Sequence, residues 1–284
     1  QEMGFIYESE GAIWLKTTSL GDDKDRVIKK SDGEYTYFAS DIAYHLDKWN
    51  RGYDQAIDIW GADHHGYIGR VNAALSCLNI PKEWLKVLLI QLVKLWSHGN
   101  EIKMSKRAGT YVTLREIITE AGVDASRFIF LTKHNDSTLD FDLDLAKKQD
   151  TDNPVYYIQY AHARLSSILR KSPIKSLDLE NLKAEDLSNL TLPEEVDLIK
   201  AILDFPSTLT DIAKTFEPHR LTYYLMDIAS LFHRYFNLGN KDQEKRVICK
   251  EESLTRARLC LVLAVRYIIG RGLQLLGVSQ PESM

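Results

Sequence analysis

The hydrophobic pattern of the chain changes near Thr151, and this change constrains the fold more than any other feature. Up to about Gln149, short apolar runs of strand character alternate with helical stretches, which is typical of an α/β unit. From Asn153 onward, apolar residues recur at helical spacing to the end. The 284 residues suffice for two domains. The sequence predicts an α/β domain over residues 1–150 and an all-α domain over 151–284.

In the first part, the pattern predicts strands over 12–17, 25–30 and 56–60, and helices over 38–49 and 69–78. Ser40 is the predicted N-cap of the first helix. The strand over 56–60 is predicted to be buried, and the apolar run 86–95 is interpreted as one strand. In the second part, predicted helices cover 154–170, 193–203, 206–216, 219–237 and 253–276.

Composition and charge exclude several classes of protein. The chain is 44% hydrophobic and 27% charged, as in ordinary folded domains, and its net charge of -4 gives no overall basic field. Residues 214–271 nevertheless carry eleven Lys and Arg against six Asp and Glu. Three cysteines without a CxxC pair suit a reducing compartment and exclude a zinc site built from cysteines. No apolar stretch approaches the roughly 20 residues of a membrane span.

A basic loop follows the last predicted strand of the α/β domain. Residues 103–107 read KMSKR and are followed by Ala108-Gly109. Three cations beside a serine and a glycine suit a loop that closes over an anion such as triphosphate. A charge cluster of this kind can also be a solvated loop. Its place after a strand favours the ligand-binding interpretation, because open α/β sheets bind ligands beyond the strand ends.

Tyr37 and Asp41 lie four residues apart at a predicted helix start, so they share one helix face. A carboxylate can pair bidentately with a guanidinium group while an aromatic ring covers its plane. The pair therefore suits an arginine side chain as ligand. The alternative is a core tyrosine beside a surface carboxylate.

The segment from Gly61 to His65 follows a predicted strand and precedes a helix. Asp63, His64 and His65 could be metal ligands, but adjacent histidines on one turn seldom converge on one ion, so no metal site is predicted. At a strand end, Gly61 allows close approach of a ligand, and Asp63 can accept a hydrogen bond from a ribose hydroxyl.

Aromatic residues cluster at the start of the helical domain. Tyr156, Tyr157 and Tyr160 lie on one predicted helix with Arg164 nearby. Tyrosine and arginine side chains can stack on unpaired bases, which would make this helix a nucleic-acid contact. Tyrosines at this spacing also occur in helical cores.

The literal sequence adds a family resemblance. Residues 103–106, KMSK, resemble the second signature of class I aminoacyl-tRNA synthetases. Further segments resemble arginyl-tRNA synthetases in particular: SDG at 31–33, YFASDIAYH at 37–45, WGADHHG at 60–66, FDLDLA at 141–146 and NPVYYIQYAHAR at 153–164. The resemblance runs from about residue 5 to Met284. It implies the latter half of a Rossmann-type nucleotide-binding fold, followed by a helical anticodon-binding bundle.

The resemblance also implies roles for individual residues. Lys103, Ser105 and Lys106 would be catalytic and stabilise the pyrophosphate leaving group. Tyr37 and Asp41 would bind arginine. ATP would be bound by Gly61, Asp63, His64, His65, Met104 and Lys106. Transfer RNA would be contacted by Tyr157, Tyr160, Arg164, Tyr235, Phe236 and Met284, although the family often has the aromatic pair at 235–236 in the order Phe-Tyr.

The implied activity is arginine–tRNA ligation in the cytoplasm, with L-arginine, tRNA(Arg) and ATP with Mg²⁺ as substrates and with a monomeric full enzyme. The His-x-Gly-His signature of the class does not occur in the sequence. We therefore expect the chain to be the C-terminal portion of a longer enzyme, inactive alone. Two alternatives remain: a non-catalytic tRNA-binding module, and a cysteinyl-type synthetase, which the lack of clustered Cys and His ligands disfavours.

Overall fold

A computed structural model of the chain describes residues 3–103, 112–174 and 183–284. The chain forms two compact units, Gln1–Leu92 with Asn135–Thr138, and Val93–His134 with Leu139–Met284. Each unit has its own hydrophobic core. The predicted domain boundary near residue 151 stays a prediction.

The first unit begins with a small antiparallel sheet of β1 (Ile6–Ser9), β2 (Ala12–Leu15) and β3 (Arg26–Lys29). Glu10 and Gly11 connect β1 and β2 with φ values of 53° and 74°. Positive φ at both central residues is the requirement of the tight hairpin turn that matches strand twist. Two of the predicted strands are therefore present as β2 and β3, and β1 is an addition.

Helix α1 (Tyr37–Asn50) carries the first predicted ligand pair. Its N-cap is Thr36, whose hydroxyl accepts a hydrogen bond from the Ala39 N–H at 3.3 Å. The prediction of Ser40 as N-cap was wrong, because a cap one turn earlier satisfies the first exposed N–H groups. The helix therefore begins at Tyr37.

Strands β4 (Ala56–Gly61) and β5 (Leu85–Ile90) pair in parallel, with α2 (Tyr67–Ser76) in the connection between them. Ala56 and Leu85 are buried in the core of the first unit. On the opposite face, Ile57 and Ile59 are 45% and 67% exposed. The prediction of a buried strand over 56–60 was thus wrong for this face, although the strand itself is present.

The second unit contains a sheet in the order β7 (Asn100–Glu101), β6 (Val93–Ser97) and β8 (Leu139–Asp142). The prediction of one strand over 86–95 was wrong, because that run supplies β5 to one sheet and β6 to another. At the interruption, the N–H of Gln91 donates to the carbonyl of the distant Asn135 at 2.9 Å. The backbone leaves the β5 ladder at this point.

Helices make up the rest of the second unit among the residues described. Three short helices flank its sheet: α3 (Leu114–Ala121), α4 (Val123–Phe130) and α5 (Leu143–Lys147). The helical bundle follows: α6 (Pro154–Lys171), α7 (Ala184–Leu187), α8 (Pro193–Leu203), α9 (Phe205–Thr215), α10 (His219–Lys241) and α11 (Glu252–Leu276). The five helices predicted for this region are all present, with ends within about four residues of those predicted.

Helix α11 is the central helix of the bundle. By length and composition alone it could cross a membrane, but 61% of its most apolar window is buried inside the protein. Its Arg258, 3% exposed, donates through Nε to Oε1 of the fully buried Glu195 at 2.7 Å. Extensive burial and packing against α6, α8 and α10 make it a core helix.

Candidate active site and nucleic-acid interface

The predicted arginine-binding pair lies on the first turns of α1 in the first unit. Tyr37 is 92% exposed, and Asp41 is partly buried one turn later. The two side chains share one face of the helix, as their spacing requires. Asp41 thus presents a carboxylate next to an uncovered aromatic ring.

Tyr67, at the start of α2, is a neighbour of Asp41 that sequence reasoning missed. Its hydroxyl donates to Oδ2 of Asp41 at 2.7 Å, and the guanidinium of Arg70 lies 4.9 Å from its ring centroid. The ring also packs edge-on against Phe38 and Trp60, with centroids 6.0 and 5.7 Å away. Burial and the bond to Asp41 raise the pKa of the Tyr67 hydroxyl. Tyr67 therefore joins the two predicted ligand segments, and its place directly after WGADHHG was the available signal.

A buried charge cluster fixes α1 to β4. His45, 4% exposed, donates from Nδ1 to the Asp41 carbonyl at 2.7 Å and from Nε2 to Oδ2 of Asp58 at 2.8 Å. Lys48 donates to the other oxygen of Asp58 at 3.1 Å. Burial lowers the pKa of His45, but the bonds to Asp58 and the carbonyl outweigh it, so the pKa is raised. Both ring nitrogens face acceptors, which favours the charged imidazolium.

The predicted nucleotide segment forms the turn between β4 and α2. Asp63, His64 and His65 are all exposed there. Gly61 has ordinary φ, and a Cβ placed on it would meet no atom within 4 Å. The fold therefore does not require glycine at this position. The space beside Gly61 at the strand end is free for a ligand. A cleft of about 680 Å³ lies beside the turn and is also lined by the loop around Asp22 and Arg26.

The basic loop falls at the edge of what the structure describes. Lys103, two residues after β7 in the second unit, is exposed. Met104, Ser105 and Lys106 lie outside the described residues, so their predicted roles stay predictions.

Three of the predicted RNA contacts, Tyr160, Arg164 and Phe236, form one cluster with Tyr156 on α6 and α10. The guanidinium of Arg164 lies 4.4 Å from the ring centroids of both Tyr160 and Phe236. The ring of Tyr156 stacks on that of Tyr160 at 6.3 Å. All four side chains are partly exposed. A layered surface of aromatic rings and a guanidinium plane is suited to stacking with unpaired bases.

His233 is a buried residue that contacts Arg164 of this cluster, and the sequence analysis did not predict it. Its Nδ1 lies 3.5 Å from Arg164, and its Nε2 lies 3.3 Å from the Tyr157 carbonyl. Arg164 can only donate and a carbonyl can only accept, so the geometry requires a neutral ring protonated at Nε2. Burial and the charge of Arg164 lower the pKa of His233, although the bond to Tyr157 opposes them.

Tyr235 is not part of this cluster, and Met284 lies in a cleft that Tyr156 also lines. Tyr235 is 1% exposed, and its hydroxyl donates to Glu195 at 3.2 Å. Its side chain is part of the helical core, so a contact with RNA would require rearrangement, and that role stays a prediction. Met284 is 52% exposed and lines a cleft with Lys147, Lys148 and Tyr156.

Several cations of the late positive excess, over residues 214–271, are engaged in ion pairs or buried. Arg234 and Arg256 lie 3.2 and 3.4 Å from Asp197 and Glu252, and Arg258 is buried. These contacts reduce the field available to a polyanion. Among the described residues, no group of three or more His, Cys, Asp or Glu has metal-binding geometry.

Solved structures of other proteins align with this chain and identify its fold. The solved structure of the Thermus thermophilus arginyl-tRNA synthetase aligns with a TM-score of 0.77 at 24% identity, covering 99% of this chain and 56% of that chain. A crystal structure from Campylobacter jejuni, assigned as an arginyl-tRNA synthetase, aligns with a TM-score of 0.87 at 37% identity over 100% of this chain and 60% of that chain. The fold is that of class I aminoacyl-tRNA synthetases.

Sequence families agree with this assignment. The family described as tRNA synthetases class I (R), catalytic domain, matches residues 1–165, and the DALR anticodon binding domain matches 158–284. The arginine–tRNA ligase of Aquifex aeolicus is 53% identical over 100% of this chain and 48% of its own length. The chain belongs to the arginyl-tRNA synthetase family. It spans about half the length of the curated relatives it matches.

Proposed function

We propose that the protein acts in arginine–tRNA ligation. The arginine carboxylate attacks the α-phosphorus of ATP, the bond to the β-phosphate oxygen breaks, and pyrophosphate leaves. A terminal ribose hydroxyl of tRNA(Arg) then attacks the arginyl carbonyl and displaces AMP. The observation that carries this proposal is the continuous similarity to arginine–tRNA ligases over the whole chain, across both units.

Within this reaction, Asp41 would pair with the guanidinium of arginine while Tyr37 covers its plane. Selectivity over lysine follows, because an ammonium cannot form the same bidentate pair. Lys103, Ser105 and Lys106 would neutralise the charge that develops on pyrophosphate.

The turn from Gly61 to His65 would hold the adenosine part of ATP, which arrives as its Mg²⁺ complex. The open strand end and the exposed Asp63 carboxylate support this assignment. Met104 would line the binding site for ATP. The chemistry requires no resident metal beyond the ion carried by ATP.

For tRNA, the proposed contacts are Tyr160, Arg164 and Phe236 of this cluster, together with Tyr157 and Met284. Partial exposure and ring stacking around Arg164 support the cluster. Translation substrates are cytoplasmic, and we place the protein there; a monomeric state stays a prediction.

The test separates ligase from binding module. Arginine-dependent ATP–pyrophosphate exchange is measured with tRNA(Arg) on this chain and on a chimera in which it replaces the matching part of the Aquifex aeolicus relative. If this chain is part of a ligase, the chimera should catalyse the exchange. Binding of tRNA(Arg) without exchange in either protein would favour the non-catalytic module, and neither activity would overturn both functions.

A further inference from the structure

The segment that follows α11, residues 278–284, is held against the bundle. Helix α11 ends at Gly277, whose φ is +67°, and the N–H of Val278 donates to the Leu273 carbonyl at 2.9 Å. This is the Schellman arrangement, in which a left-handed glycine turns the chain away from the helix axis. Val278 is 4% exposed. The segment therefore starts from a fixed and buried position.

Asp124, in the first turn of α4, is the main anchor of the segment. Its Oδ1 accepts the N–H of Ser279 at 3.0 Å, and its Oδ2 accepts the Ser279 hydroxyl and Nε2 of Gln159, the latter at 2.8 Å. Gln159 on α6 is 8% exposed and also donates to the Ser279 carbonyl at 3.0 Å. The three residues form a closed network that ties the segment to two helices.

Two further features hold the segment beyond Ser279. His162 on α6, 2% exposed, donates from Nδ1 to the Pro281 carbonyl at 2.9 Å. Glu282 is held as well: Arg170 on α6 donates through Nη1 to its carbonyl at 2.8 Å, and Arg266 on α11 pairs with its carboxylate at 2.6 Å.

The held segment ends in a cleft of about 600 Å³. Met284 lines this cleft with Lys147, Lys148 and Tyr156. A thioether and a phenol ring offer apolar faces to a base, and the ammonium groups offer partners to phosphate. The position of Met284 depends on the contacts made by residues 279–282, since Met284 itself is half exposed.

We propose that Asp124, Gln159 and His162 are positioning residues for RNA binding: they hold residues 278–284 on α4 and α6 so that Met284 meets the nucleotide in this cleft. The inference rests on the proposed function in one respect, that the chain binds tRNA(Arg). None of the three side chains needs to touch RNA. Their effect is transmitted through the backbone of the segment.

The experiment compares Asp124→Ala, Gln159→Leu and Met284→Ala in the 284-residue chain, with Asp227→Ala as the matched control, an exposed aspartate on α10. Hydrogen exchange of the Ser279 amide reports whether the segment is held, and titration with tRNA(Arg) at fixed salt reports affinity. Circular dichroism confirms folding, and Gln159→Leu provides a second route if Asp124→Ala does not fold.

We expect Asp124→Ala and Gln159→Leu to speed exchange of the Ser279 amide at least about tenfold and to weaken tRNA binding by about the same factor as Met284→Ala, roughly tenfold. The double variant of Asp124 and Met284 should bind no more weakly than either single variant, because both remove the same contact. The Asp227 variant should match the wild type in both measurements.

Fast exchange with unchanged affinity in the Asp124 and Gln159 variants, while Met284→Ala binds weakly, would overturn the inference and leave the proposed function standing. Additive losses in the double variant would also overturn it, since Asp124 would then act separately from Met284. Absence of tRNA(Arg) binding by the wild-type chain would overturn the proposed function and the inference together.

Discussion

The hydroxyl of Tyr67 donates to Oδ2 of Asp41 across 2.7 Å and so links the start of α2 to the first turns of α1. The bond occupies one lone pair of Oδ2, so Oδ1 and the second lone pair of Oδ2 can still accept from a ligand. Trp60 and Phe38 hold the Tyr67 ring from two sides. The two sequence segments with proposed roles for arginine and for ATP are thus joined through one side chain.

Substitution of Asp41 should lower kcat/KM for arginine more than substitution of Tyr67. In the chimera with the Aquifex aeolicus relative, Asp41→Asn should lower kcat/KM for arginine roughly 100-fold, because the proposed charged partner of the guanidinium is lost. Tyr67→Phe keeps the charge but frees the carboxylate to rotate, so a loss of about tenfold, mainly in KM, is expected. Tyr53→Phe, at an exposed tyrosine of the same unit, serves as control. Unchanged arginine dependence in Asp41→Asn would refute the assignment.

Lys106 should contribute to the rate of activation and not to arginine binding. If Lys106 has its proposed role, Lys106→Ala removes a cation that stabilises pyrophosphate only as charge develops, and the exchange rate of the chimera should fall about 100-fold. The KM for arginine should change by no more than about twofold. Lys82→Ala, at an exposed lysine, is the matched control. A rise in the arginine KM with an unaltered rate would contradict this role.

Breaking the buried pair of Arg258 and Glu195 should destabilise the bundle more than breaking an exposed ion pair. Arg258→Met leaves the carboxylate of Glu195 buried without its cation and should lower the free energy of unfolding by about 3–5 kcal/mol, measured in urea. Arg256→Met, two positions before Arg258 in the sequence, removes an exposed pair with Glu252 and should cost about 0.5 kcal/mol. An equal loss of unfolding free energy in the two variants would show that burial does not determine how much an ion pair contributes.

His45 should make the first unit more stable at acidic than at alkaline pH. Its pKa is raised above the ordinary 6.5, so the folded unit binds a proton more tightly than the unfolded chain does. The contribution is fully present below pH 6.5 and is lost as pH rises through the folded pKa. Hydrogen exchange of α1 amides, corrected for intrinsic rates, should show this trend in the wild type and not in His45→Gln. An unchanged trend in that variant would assign it to another group.

His233 should make the helical bundle less stable at acidic pH, which is opposite to the effect of His45 on the first unit. Its pKa is lowered from 6.5, so the unfolded chain takes up the proton first and stability falls as pH drops below 6.5 towards the folded pKa. Protection of α10 amides should therefore decrease on acidification. His233→Gln should flatten this response, and an identical slope in both proteins would contradict the neutral state inferred from the contact with Arg164.

Much of the fold could be predicted because local signals agree with the final structure. The helices of the bundle carry apolar stripes at helical spacing, and Asn153 with Pro154 marks the start of α6 by cap chemistry that acts within one turn. The strands were less predictable, since pairing is set by distant partners. The run 86–95 has uniform β character, but its first part pairs with β4 and its second part with β7 and β8, and the hydrogen bond from Gln91 to Asn135 lies between the two parts.

For the site, the sequence by itself determined which residue types occur together, because motif letters and helical spacing are local properties. It placed Tyr37 with Asp41, and it indicated the aromatic residues of α6. Only the tertiary structure decided that Tyr67 holds Asp41, that His233 supports Arg164, and that Tyr235 is buried against Glu195. Each of these contacts joins residues 26 to 69 positions apart, and burial and hydrogen bonding between such residues depend on how helices pack, which the local pattern does not encode.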